Sequence, residues 1–142
     1  MIAYCDTSAL MKLFITEQHS ARMQRESRAS QRLMVSLLTW TEMLAALALK
    51  KRTAQIDAPQ MDRALQELEA EWPRYHQISV DAELAAHAGQ LALRFGLRAY
   101  DSIQLASAHR AHQQIGASLT FLCFDKQLNT AASGLGIQVL AE

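Results

Sequence analysis

Two apolar runs in this 142-residue chain end on an aspartate, and a helix-like segment follows each. Ile2-Ala3-Tyr4-Cys5 leads into Asp6 and then Thr7-Ser8-Ala9-Leu10, while Leu119-Thr120-Phe121-Leu122-Cys123-Phe124 leads into Asp125 and Lys126-Gln127-Leu128. Two further carboxylates stand where helices open. Glu42 falls in Ser36-Leu37-Leu38-Thr39-Trp40-Thr41-Glu42, in the expected first turn of an apolar helix, and Asp101 falls in Arg98-Ala99-Tyr100-Asp101-Ser102-Ile103-Gln104. In a parallel α/β sheet, strand carboxyl ends and helix starts face the same rim, where backbone N–H groups and helix dipoles tolerate anions. All four acids can therefore meet. At an effective dielectric of about 20, two unit charges ~4 Å apart repel by about 4 kcal/mol, so such a cluster demands protons or a cation. An oxygen-only, partly open ligand set suits Mg²⁺ or Mn²⁺ rather than Zn²⁺. The chemistry it would support is polarisation of a phosphodiester and generation of hydroxide from bound water.

A simpler explanation competes at each position. Thr39-x-x-Glu42 matches a capping box, Asp101-x-x-Gln104 resembles one with Asp as the cap, and Asp6 and Asp125 can each be plain N-caps worth about 1 kcal/mol. Capping, however, gives no reason for four caps to share one rim.

The elements that must position these acids read as alternating strands and helices. After the opening strand, a short helix from about Ser8 and a polar one over residues 20–31 precede a strand at Leu33-Met34-Val35. Trp40, Met43, Leu44, Leu47 and Ala48 stripe one helix, and Met61, Ala64, Leu65, Leu68 and Trp72 stripe the next, which Asp57-Ala58-Pro59 starts and Pro73 stops. A weak strand over residues 76–80 follows. Leu84, Ala88, Leu91 and Phe95 mark a helix ended by Gly96, and another runs from near Asp101 to Gly116. A small helix closing at Gly134 or Gly136 and a strand over residues 137–140 complete the pattern. The expected fold is a single α/β domain over residues 1–142, a three-layer α/β/α sandwich around a mostly parallel sheet.

Composition excludes several classes. Half the residues are hydrophobic and a fifth charged, which is ordinary for a globular domain. Lys plus Arg and Asp plus Glu each number 14, so the net charge is zero and any nucleic-acid binding must come from local patches. No run is long enough to span a bilayer and no leader is visible, which points to a cytoplasmic protein. Cys5 and Cys123 lie within apolar strands and are expected to be buried free thiols. His109 and His112 lack the further ligands a zinc site needs, and Ser8 lacks a Gly-x-Ser-x-Gly elbow. The arginines at 22, 25, 28 and 32 are explained as a solvated helix face, and the run Lys50-Lys51-Arg52 by its place near a helix carboxyl end, where cations are favoured. Arg94 and Arg98, flanking the turn before Asp101, are the better phosphate contacts. Trp40 and Trp72 belong to core stripes.

The ordered segments Asp6-Thr7-Ser8-Ala9-Leu10-Met11-Lys12, Thr41-Glu42-Met43-Leu44-Ala45, Tyr100-Asp101-Ser102-Ile103-Gln104-Leu105-Ala106 and Phe124-Asp125-Lys126-Gln127-Leu128 together resemble the PIN-domain ribonucleases. Within these they are most similar to VapC toxins of bacterial toxin–antitoxin pairs, over nearly the whole chain. The resemblance implies an Mg²⁺- or Mn²⁺-dependent endoribonuclease with a preference for single strands. It matches Asp6 and Asp101 to the principal metal-binding aspartates, Glu42 and Asp125 to the remaining acids, Ser8 to the pocket hydroxyl and Lys12 to a frequent basic position. It attaches no importance to Gln104. It further implies an RNA substrate, a homodimer and a cognate VapB-like antitoxin. Other readings are a PIN nuclease of RNA processing, a silent binding module of the same fold, and a phosphoacceptor domain, although the last would need an acidic pair after the first strand.

Overall fold

In the computed structural model, residues 1–116 and 118–140 are described. Five strands, β1 (Ile2–Cys5), β2 (Arg32–Ser36), β3 (His76–Ile78), β4 (Leu119–Leu122) and β5 (Gln138–Val139), form one sheet in the order β3-β2-β1-β4-β5. Every neighbouring pair is parallel. The helices are α1 (Thr7–Met11), α2 (Ser20–Ala29), α3 (Leu37–Arg52), α4 (Ala58–Glu71), α5 (Ala82–Phe95), α6 (Ala99–Ile115) and α7 (Lys126–Gly134).

The period of two along each strand sorts the core into two layers. Ala3, Cys5, Leu33, Val35 and Leu122 pack with Leu10, Met23, Met43, Leu47 and Leu68 of α1 to α4. Tyr4, Met34, Leu119, Phe121 and Cys123 face the other way, onto Leu84, Leu91, Leu105, Ala108 and Leu128 of α5 to α7. Strands apolar on both faces are what a sheet covered on both sides requires. The three-layer α/β/α sandwich is thus as expected.

Most boundaries follow local chemistry. Asp57 and Gln60 form a full capping box at the start of α4, and Gly96 ends α5 in the left-handed conformation at φ 67°. Pro73 stops α4 less sharply than expected, because a 3₁₀ turn (Trp72–Arg74) carries on from it. Two expected caps fail. The N-cap of α3 is Ser36, whose hydroxyl accepts from Leu38 N at 3.2 Å, so Glu42 lies in the second turn and Thr39 caps nothing. The N-cap residue of α6 is Arg98, which places Asp101 inside the first turn and leaves Gln104 free for another use.

The chain leaves β1 on one side to build β2 and β3, then returns across β1 through α5 and α6 to β4. The order therefore reverses between β1 and β4. That reversal opens a crevice at the strands' carboxyl ends, the usual ligand position in such sheets.

Candidate active site

The register of β1 on β4 fixes the centre of this crevice. Cys5 lies opposite Leu122, so the next residues, Asp6 and Cys123, emerge side by side. The Cys123 thiol donates to Asp6 Oδ2 at 3.1 Å. Asp6 is 6% exposed and also serves as N-cap of α1, its Oδ1 accepting from Ala9 N at 2.8 Å. The Ser8 hydroxyl sits 3.1 Å from both carboxylate oxygens. Burial raises the Asp6 pKa, against the opposing effects of Ala9, Cys123, Ser8 and Lys12. A nearby cation would relieve that penalty.

The other three acids reach the same place from different elements. Asp6, Glu42, Asp101 and Asp125 all line one cavity of about 380 Å³, together with Thr7, Ser8, Glu17, Lys50, Arg98 and Gln104. Glu42 Oε1 accepts from Thr7 Oγ1 at 2.8 Å and from Gln104 Nε2 at 2.7 Å. Asp101 makes only a loose contact, 3.4 Å from Arg98 Nε, and that arginine is 87% exposed. Asp125 is the N-cap of α7 and accepts from Leu128 N at 2.9 Å. Asp6 and Asp125 therefore do cap helices, as the simpler explanation held. Capping engages Oδ1 of each, and it does not account for their sharing a cavity with Glu42 and Asp101.

The loop that carries Asp125 is braced from α1 and α2. Phe124 stacks on His19 with ring centroids 4.7 Å apart, and the Lys12 ammonium lies 5.3 Å from the centroid of the same ring. Lys12 and Lys50 both contact Glu17, at 3.2 and 3.1 Å. Burial works against ionisation of Glu17, but hydrogen bonds and charge from the two lysines outweigh it and hold its pKa low. A second local positive field, at Lys50, thus adjoins the acids.

Of the residues singled out for phosphate contact, Arg98 lines the cavity and Arg94 does not. Arg94 lies over the Phe95 ring at 4.7 Å and its charge acts on His109. Lys12 is held behind Glu17, beside the cavity rather than among its lining residues. Glu17 lines the cavity unanticipated by the sequence, while Lys50, expected only to favour a helix end, and Gln104, expected only as a capping partner, line it too. Gln104 is the most consequential, being 3% exposed and bonded to three other elements.

The donor set is entirely oxygen, which fits Mg²⁺ or Mn²⁺. Among the described residues, no three His, Cys, Asp or Glu side chains are disposed to enclose an ion unaided. Mg²⁺ does not need such a cage, since it keeps several waters and takes one or two carboxylates plus substrate phosphate.

An all-parallel sheet with an acidic crevice at its switch point finds its counterpart in a defined family. Residues 3–133 match the PIN domain, and this chain belongs to that family. Two proteins of Mycobacterium tuberculosis (strain ATCC 25618 / H37Rv) are similar along almost their whole length. Ribonuclease VapC46 is 34% identical over 139 residues, covering 97% of this chain and 95% of that protein. Ribonuclease VapC49 is 29% identical over 138 residues, covering 97% and 94%. The fold matches that of a toxin–antitoxin complex from Klebsiella pneumoniae, with a TM-score of 0.66, 21% identity, and coverage of 98% of this chain and 96% of that one.

Proposed function

We propose that this protein is an endoribonuclease that hydrolyses RNA phosphodiesters at Asp6, Glu42, Asp101 and Asp125, and that it is the toxin of a VapBC-type pair. The observation that carries the reading is the convergence of four sequence-remote acids on one cavity at the β1/β4 switch point. Membership of the PIN family and similarity to two proteins named Ribonuclease VapC support it.

When bound, Mg²⁺ or Mn²⁺ supplies Lewis acidity toward the phosphoryl group and lowers the pKa of water. Asp6 and Asp101 would hold the cation. Ser8 and Cys123 donate to Asp6 and so keep its oxygens in place. Glu42 and Asp125 would supply further oxygens to it or orient the attacking water and take its proton. Arg98, at the mouth, contacts a phosphate of the strand. The partners are RNA, a VapB-like antitoxin and a second copy of the chain; the fold shared with a toxin–antitoxin complex from Klebsiella pneumoniae supports the second of these. Among the described residues no helix is long and apolar enough to cross a membrane. The compartment that holds its RNA substrate is the cytoplasm, and that is where the protein acts on this reading.

Purified protein on single-stranded RNA with added Mg²⁺ tests the chemistry. Cleavage by the native chain and none by Asp6→Asn or Asp101→Asn is expected, and wild-type cleavage by either variant would sink the assignment. Expression in a bacterial host tests the role. Growth arrest rescued by the neighbouring gene's product marks a toxin, whereas cleavage without arrest marks an RNA-processing nuclease. No cleavage at all would leave a binding module.

A further inference from the structure

We infer that Gln104 is a positioning residue that fixes Glu42 in the acid cavity, and that Tyr4 in turn sets the orientation of Gln104. The inference rests on the metal-dependent reading above. Gln104 lies one turn beyond Asp101 on α6 and is 3% exposed. Its Oε1 accepts from the Tyr4 hydroxyl at 2.7 Å. Its Nε2 lies 2.7 Å from Glu42 Oε1, 2.9 Å from Thr39 Oγ1 and 3.1 Å from Thr7 Oγ1.

The hydrogens can be counted. An amide nitrogen carries two, and a threonine hydroxyl one. Thr7 commits its hydrogen to Glu42 Oε1 at 2.8 Å. The two shortest Nε2 contacts then take the amide hydrogens, one to Glu42 and one to Thr39, and the 3.1 Å approach to Thr7 is the residual one. Glu42 Oε1 is thereby saturated by two donors, while Oε2 receives no hydrogen bond among the described residues. One oxygen anchors the side chain, and the other is left for the cavity.

This works only with the amide in one orientation. Flipped, its carbonyl would face the Glu42 carboxylate and its N–H groups the Tyr4 O–H. Tyr4 favours the unflipped amide because its buried hydroxyl donates to Gln104 Oε1 at 2.7 Å, a hydrogen bond that the amide nitrogen could not accept if it stood there instead. A leucine would fill the space of Gln104 but leave Tyr4, Thr39 and Glu42 short of partners.

The test is Mn²⁺ affinity, read by electron paramagnetic resonance on the full chain, with circular dichroism to verify folding. Outer groups that orient metal ligands typically contribute about 10- to 100-fold in affinity. Gln104→Met is expected to weaken Mn²⁺ binding by at least about tenfold, and Tyr4→Phe by less. In a Glu42→Gln background, Gln104→Met should change the affinity less than twofold. An equal loss in that background would mean general damage and overturn the inference, as would unchanged affinity in folded Gln104→Met. If Gln104→Met does not fold, Tyr4→Phe decides, and wild-type affinity there overturns the proposal. Mn²⁺ binding that is absent from the native chain, or indifferent to Asp6→Asn, refutes the metal site and this inference with it. Wild-type binding sensitive to Asp6→Asn but not to Gln104→Met refutes the inference alone.

Discussion

Like groups meet at two places in this molecule, and they resolve their repulsion differently. Between α5 and α6, His87 Nε2 lies 2.8 Å from His109 Nδ1, a hydrogen bond in which one ring nitrogen donates to the other. At the β1/β4 switch point, four carboxylates share a cavity, and no carboxylate–carboxylate hydrogen bond joins them among the described residues. A ring N–H of one imidazole set against the bare ring nitrogen of the other makes that contact attractive. No such bond joins the carboxylates, so their repulsion calls for protons, a cation, or the lysine and arginine at the rim. A cluster that can settle its own charge is structural; one that cannot marks a site waiting for a partner.

The sharpest way to break this contrast is Asp6→Asn. It removes a charge from the centre of the cluster while keeping the side chain's shape and the Oδ1 cap on Ala9 N. Mg²⁺-stimulated RNA cleavage should fall by more than the ~100-fold that outer orienting groups cost, and the apo fold should persist. Retained cleavage in a gel assay would make the cavity ornamental.

Asp125 and Asp57 allow capping to be separated from chemistry. Each caps a helix, but only Asp125 lines the cavity. Alanine at either position should cost about 1 kcal/mol by urea unfolding. Only Asp125→Ala should also slow cleavage. Equal stability losses with unaltered cleavage in both would return Asp125 to a purely local role.

The histidine pair predicts a pH dependence of stability. Burial, followed by the charges of His87, His112 and Arg94, depresses the His109 pKa below its ordinary 6.5. Below pH 6.5 the unfolded chain therefore binds a proton that the folded chain resists. This contribution is fully present above 6.5 and is lost as pH falls through the depressed folded value. Urea midpoints measured from pH 8 to pH 5 should decline, and His109→Gln should flatten the decline. A variant with the native slope would show that the pair is not the cause.

The smallest effect expected is at the rim. Arg98→Gln should reduce RNA affinity in EDTA modestly and lower the salt slope by about one, as loss of one phosphate contact does. Arg94→Gln, on the other side of the helix end and packed on Phe95, should change neither.

The layered fold was legible because strands, helices and caps are written in short stretches. Apolar runs closed by Asp, a proline in the first turn of α4, and Gly96 after α5 each carry their signal within a few residues. The start of α3 was misplaced for the same reason. Thr39 and Glu42 fit a capping box locally, but Ser36 three residues earlier is an equally good cap, and burial of Thr39 against Gln104 decided the matter. Asp6, Asp101 and Asp125 could be found because each stands at an element boundary, and Glu42 because it is an acid in an otherwise apolar helix. Gln104 could not, since its partners lie 62, 65, 97 and 100 residues away and nothing local distinguishes it from a surface glutamine. His87 escaped likewise. A search for metal spacing on one helix sees His109 and His112, whereas the real neighbour of His109 stands 22 residues back on α5.

The pairing of β1 with β4 joins Ile2 to Leu119 and Cys5 to Leu122. Synthesis makes β1 well before β4, with β2, β3 and six α-helices between them. Until β4 exists, Asp6 has neither Cys123 nor Asp125 beside it. A nascent polypeptide still short of that strand therefore holds its acids apart, and the shared cavity forms only once the later strand has closed against the earlier one.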